Sequence, residues 1–137
     1  MQAAGINVVA LSAGRAEWTY FKWAGHSADQ SSDVTSTGID FLAEDSATFS
    51  QFAKVSAVVD VFAPNYILAN PNKAAINALG VPDPNLVSTA ELVNGSFGQQ
   101  LLDMVQYIAA NYPHVDSIDI TELSYRADGY GPDNLAL

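Results

Sequence analysis

Ala57-Val58-Val59-Asp60-Val61-Phe62, followed at once by Ala63-Pro64-Asn65-Tyr66, decides how the chain is read. Five of the six residues are apolar, so the segment is a strand covered on at least one face, as parallel sheets are. Residues 6–11 and 115–121 repeat the pattern: short, rich in Val and Ile, and bounded by Gly, Pro or polar residues. Helical patterns lie between these strands. Residues 99–112 place Leu101, Leu102, Val105, Ile108, Ala109 and Tyr112 on one stripe. Ser96-Phe97-Gly98-Gln99 has the form of a capping box before it, and Pro113 follows its end. A second helix is predicted over about residues 46–54, with Phe49, Phe52 and Ala53 inward. A third is predicted over residues 73–79, stopped by Gly80.

The order strand, loop, helix, strand, loop, helix, strand implies an α/β fold of parallel strands with helical crossovers. Segments that follow strands are long, residues 12–45 and 63–95. Those that lead into strands are short, Val55-Ser56 and Pro113-His114. Functional loops of (β/α) barrels follow the strands, so a partial barrel in one domain, residues 1–137, is the expected architecture. Residues 132–137 resemble a helix start with Asp133 as N-cap. Three strands with two open edges need covering. The expectation is an incomplete barrel completed by its remainder or by other protein chains.

Fifteen acidic residues against five basic ones give a net charge of -10. That argues against nucleic acid and anionic membranes, and leaves neutral substrates, cations and basic partners. No apolar run approaches a membrane span, and the N-terminus lacks a basic leader region. There is no cysteine, hence no disulfide or thiolate chemistry. His26 and His114, the two histidines, form no local metal motif. Neither a phosphate-binding glycine loop nor a G-x-S-x-G elbow occurs. No metal or cofactor is expected.

The chemistry concentrates after the strands. Residues 15–26 hold Arg15, Glu17, Trp18, Tyr20, Trp23 and His26, all candidates for contact with substrate. Aromatic rings beside polar groups suit a sugar, which has an apolar face and a hydroxyl rim. The competing reading of Trp18, Phe21 and Trp23 is simple packing of a long loop. Asp60 lies inside an apolar strand, either held by Arg15 or acting as a carboxylate of the site. Tyr66 follows it. Glu122 stands where the third strand ends, the place for a general acid, with Asp119 one pleat lower as its rival. Alternation puts Ser117, Asp119 and Thr121 on one face and Ile118, Ile120 and Glu122 on the other. Glu122 therefore joins its rival's face only if the strand end is reoriented. The alternative for Glu122 is an ion pair with Arg15 or Arg126.

Asp119-Ile120-Thr121-Glu122-Leu123-Ser124-Tyr125, with Gly129-Tyr130-Gly131-Pro132-Asp133, resembles the fourth-strand region of glycoside hydrolases with (β/α)8 barrels. The resemblance implies that Glu122 is the acid/base of a retaining enzyme acting on polysaccharide O-glycosidic bonds. It places Gly14-Arg15-Ala16-Glu17-Trp18 and Val59-Asp60-Val61-Phe62-Ala63-Pro64 on strands two and three. That clan has Asn before its acid, where this chain has Thr121, and its nucleophile belongs to strand seven. Similar segments also resemble parts of bacteriophage tail proteins, which implies an extracellular or virion-associated setting. An enzyme of this kind uses Glu122 and Asp60, with Trp18, Trp23, Tyr66 and Tyr125 as platforms. A lone segment holding one of the two carboxylates is expected to be inactive by itself, leaving saccharide binding or a structural role as alternatives.

Overall fold

The computed structural model describes residues 5–77 and 79–123. Tyr125, Arg126 and the helix start expected at residues 132–137 lie outside the described residues. In chain order the elements are β1 (Val8–Arg15), β2 (Trp18–Thr19), α1 (Ser32–Thr37), α2 (Phe41–Phe49), β3 (Lys54–Asp60), α3 (Pro64–Ala69), β4 (Ala74–Ile76), β5 (Pro82–Val87), α4 (Thr89–Asn94), α5 (Ser96–Asn111) and β6 (Ser117–Thr121).

The fold is mixed α/β. One sheet has the order β2-β1-β3-β6. β1, β3 and β6 are parallel neighbours, in register from Val8↔Lys54 to Arg15↔Asp60 and from Ser56↔Ser117 to Asp60↔Thr121. β2 folds back antiparallel on the end of β1. Among the described residues the sheet is open, with no barrel closure. Each parallel pair is joined through helices, as its geometry demands. β1 bulges between Ser12 and Gly14, and Gly14 has φ +92°. A Cβ there would stand 2.2 Å from the Trp18 carbonyl oxygen, so only glycine permits the reversal into β2.

One face of the sheet carries the core. Ala57, Val59 and Val61 are buried in one cluster with Leu42 of α2 and with Phe97, Leu101, Met104 and Ile108 of α5. The stripe on α5 is rotated from the expected one. Met104 is fully buried, whereas Leu102 is 48% exposed and Ala109 is exposed. α5 starts at Ser96 behind Gly95, an N-cap residue with no side chain to offer, so the Ser96-x-x-Gln99 box does not form. The Glu91 carboxylate takes the Phe97 N–H instead, at 3.1 Å.

The helix expected over residues 46–54 begins earlier, as α2. Asp40 caps it by accepting the Ala43 N–H at 3.0 Å. The helix expected over residues 73–79 is replaced by β4, paired antiparallel with β5. Asn77 decides this locally: its Oδ1 accepts the N–H groups of Leu79 and Val81, forming a turn where a helix would continue. Pro82 and Pro84 then fix the return strand.

Candidate functional site

Register assembles a row across the carboxyl end of the main sheet. Trp18 pairs with Arg15, Arg15 with Asp60, and Asp60 with Thr121. Paired residues share a face, so these four side chains lie on the sheet face opposite the core. The next row on that face is Ser12, Val58 and Asp119. Four residues singled out by sequence, Arg15, Trp18, Asp60 and Asp119, thus come together from three strands and a hairpin. Carboxyl ends of parallel strands are where α/β folds bind ligands.

Each member is held differently. Trp18 is half-buried, its ring edge-on to Tyr20 with centroids 4.4 Å apart. The Arg15 guanidinium carbon lies 5.9 Å from the Trp18 ring centroid. Arg15 makes no ion pair among the described residues, and its enclosed Nε meets no acceptor. Neither expected ion pair, with Asp60 or with Glu122, is formed. Asp60 uses one oxygen to accept the Phe62 N–H at 2.7 Å, which pins the carboxyl at the strand end. Asp119 accepts from the buried Ser56 hydroxyl at 2.6 Å. Glu122 is exposed and has φ +63°, a left-handed conformation uncommon for a non-glycine residue. That break interrupts the alternation at Glu122, so the pleat no longer assigns it to the face of Ile118 and Ile120. Backbone strain of this kind concentrates at functional positions.

Other candidates are placed elsewhere. Trp23 is 2% exposed and its ring stacks against His26 with centroids 3.8 Å apart, so a ligand would meet His26 first. His26 is oriented by Asp29, 3.2 Å from Nδ1, and Gln100 also bonds that carboxylate. Phe21 is fully buried, in accord with the packing reading. Glu17 accepts the N–H groups of Asn65 and Tyr66, at 3.2 and 2.7 Å, and so caps α3 from across the fold. His114 lies near the amino ends of the strands beside Ser50, away from the row.

Tyr66 leads to a centre that sequence reading missed. Its hydroxyl donates to Glu91 at 2.6 Å, and Lys73 bonds the other Glu91 oxygen at 2.7 Å. Glu91 is 2% exposed. Burial alone would raise its carboxyl; hydrogen bonds from Lys73, Tyr66 and the Phe97 N–H, with the Lys73 charge, bring it down to about 2. The signal was present: Ser88-x-x-Glu91 is a capping box in form, and Ser88 does accept the Glu91 N–H. The glutamate carboxylate turns inward instead of back to Ser88.

A cleft of about 250 Å³ opens beside the row. Leu11, Ser12, Tyr20, Asp33, Phe41, Leu42 and Asp45 line it. Neighbours in β1 point to opposite faces, so Leu11 and Ser12 together place the cleft at the outer edge of that strand. β2 pairs with Gly14 and Arg15, and Tyr20 bonds the Ala13 carbonyl, so among the described residues no strand pairs this edge at Leu11 and Ser12. No group of three or more His, Asp or Glu side chains suited to a metal occurs among the described residues, and none of their helices is long and apolar enough to cross a membrane.

These features define an open α/β sheet with a polar face at its carboxyl edge. Compared with known proteins, the chain matches no family model, no curated protein and no solved structure.

Proposed function

We propose that the chain is the carbohydrate-active part of a glycoside-hydrolase-type (β/α) barrel, with a saccharide lying across the carboxyl ends of β1, β3 and β6. The observation that carries the reading is the row Trp18, Arg15, Asp60, Thr121 on one face, with Glu122 directly after it. Three inter-strand steps of about 4.8 Å make the row roughly 14 Å long, enough for a short oligosaccharide. Trp18 offers an apolar platform, and the Arg15 guanidinium, which forms no ion pair among the described residues, offers a donor to a sugar oxygen. Glu122 is the acid/base in this reading, and Asp60 is a pinned acceptor beside it. A non-catalytic module of a larger assembly, such as a phage tail, is favoured by the apolar groups left exposed at the β6 edge: Ile120 at 41% and Leu123 at 49%.

The test is titration of the chain with soluble cell-wall and plant oligosaccharides, alongside Trp18→Ala, Arg15→Ala and Glu122→Gln. Binding about tenfold weaker in Trp18→Ala and Arg15→Ala supports the site, since stacking and one buried donor are each worth about 1 kcal/mol or more. Turnover lost in Glu122→Gln with binding retained supports the enzyme; binding without turnover in the parent chain supports the module. Absence of saccharide binding, or binding indifferent to Trp18 and Arg15, sinks the reading.

A further inference from the structure

The cleft beside the row has a chemistry of its own. Its walls are Leu11, Leu42 and the rings of Tyr20 and Phe41, which meet edge-on with centroids 6.4 Å apart. Its polar residues, besides the Tyr20 hydroxyl, are Ser12 and two carboxylates, Asp33 from α1 and Asp45 from α2. Both are exposed, and neither carboxylate is engaged by a cation or a hydrogen-bond donor among the described residues. No Lys, Arg or His lines the cleft. Two uncompensated carboxylates on a cleft walled by aromatic rings repel anions and attract cations, through charge and through the ring quadrupole. The chain's net charge of -10 adds a long-range field of the same sign.

The cleft also joins the row. Tyr20 touches Trp18 edge-on, and Ser12 belongs to the strand face that carries Asp119. A ligand that lies on Trp18 therefore reaches the cleft along a continuous aromatic wall. A space of about 250 Å³ holds one hexose-sized unit and little more.

We propose that this cleft is a subsite for an ammonium-bearing sugar, with the amino group between Asp33 and Asp45 and the ring against Tyr20 and Phe41. The proposal rests on the saccharide reading above and names the substrate class: an amino sugar with a free amine, as in a deacetylated polysaccharide. Acetylation removes the charge and adds bulk, so the acetylated unit is discriminated against. A neutral hexose lacks the ion pair and binds weakly.

The experiment is an amide-resolved NMR titration of the intact chain with glucosamine, N-acetylglucosamine, glucose and cyclohexylamine, at mildly acidic pH and low salt. Glucosamine is expected to shift the amides of Ser12, Tyr20, Phe41 and Asp45, and to bind about tenfold more tightly than either neutral sugar. Asp33→Asn combined with Asp45→Asn should erase that preference while the spectrum stays folded, since both side chains are exposed. Added salt should weaken glucosamine in the parent chain and leave glucose unchanged, a readout independent of the variants. Equal affinity for the three sugars, or shifts confined to other residues, overturns the subsite and leaves the saccharide reading standing. Cyclohexylamine binding as tightly as glucosamine overturns the sugar assignment. Binding of no sugar at all, here and on Trp18, brings down the saccharide reading itself.

Discussion

Glu91 sits 2% exposed with both carboxylate oxygens occupied: Tyr66, Ser96 and the Phe97 N–H on one, Lys73 on the other. These partners come from α3, from the turn before β4 and from the start of α5, so one side chain ties three separate segments together. Gly95 makes room for it. A Cβ at Gly95 would lie 2.1 to 2.3 Å from the Glu91 carboxyl atoms, a clash that only movement of the network relieves. Glu91→Gln keeps the shape, removes the charge and turns one acceptor toward the Lys73 ammonium as a donor. We expect it to cost about 2 kcal/mol, at the lower end for a broken buried pair because half-exposed Lys73 recovers water. Gly95→Ala should cost about 1–3 kcal/mol through overpacking. Urea denaturation measures both, and values under about 0.5 kcal/mol would show the network to be ornamental to stability. Little of this was legible in the sequence. Glu91 reads as an ordinary helical acid, because Tyr66 and Lys73 lie 25 and 18 positions away.

The elements were legible where a local pattern and a tertiary demand coincide. Val- and Ile-rich runs announced β1, β3 and β6, and their parallel pairing followed from the intervening helices. Residues 73–79 misled, because Ala74, Ala75 and Ala78 favour helix by propensity while Asn77, Pro82 and Pro84 impose a turn and a return strand. α5 was legible as a helix but not in its rotation. Its buried positions are Phe97, Leu101, Met104 and Ile108, spaced by four, three and four residues. Leu102 had looked equally apolar, yet what faces the sheet is set by where Gly98 lets α5 approach the end of α4. A Cβ there would stand 1.9 Å from the Leu92 carbonyl oxygen. The consequence is measurable. Met104→Ala should cost about 2–4 kcal/mol as a cavity in the core, and Leu102→Ala under about 1 kcal/mol. Equal costs would mean that α5 is rotated from the orientation described.

At the scale of the molecule, the candidate site was legible as a set of residue types but not as a surface. Only the register of β1, β2, β3 and β6 shows that Arg15, Trp18, Asp60 and Asp119 share a face, and only tertiary contacts show that Glu17 caps α3 and that Trp23 belongs to the core. The same long-range organisation sets the response to pH. Tyr112 is 6% exposed and donates to Asp40 at 2.8 Å; burial first, then the Asp40 carboxylate, push its hydroxyl well above the ordinary tyrosine range. A raised value in the folded state stabilises the fold below the ordinary value near 10 and is lost as pH climbs past it. Glu91 works in the opposite sense. Its carboxyl is lowered from 4.5 to about 2, so its contribution is complete above about 4.5 and vanishes as pH falls toward 2. Allowing for solvent around Lys73, that contribution is on the order of 1–2 kcal/mol. Self-repulsion from the net charge of -10 runs against it, since the first carboxylates to protonate relieve the repulsion before Glu91 is touched. Comparing the parent chain with Glu91→Gln cancels that common term. The stability gap between them should be constant from neutral pH down to about 4.5, then close steadily toward pH 2. A gap that stays unchanged to pH 2 would show that the carboxylate is not held ionised by the network, and that Gln fails for reasons of hydrogen-bond geometry alone.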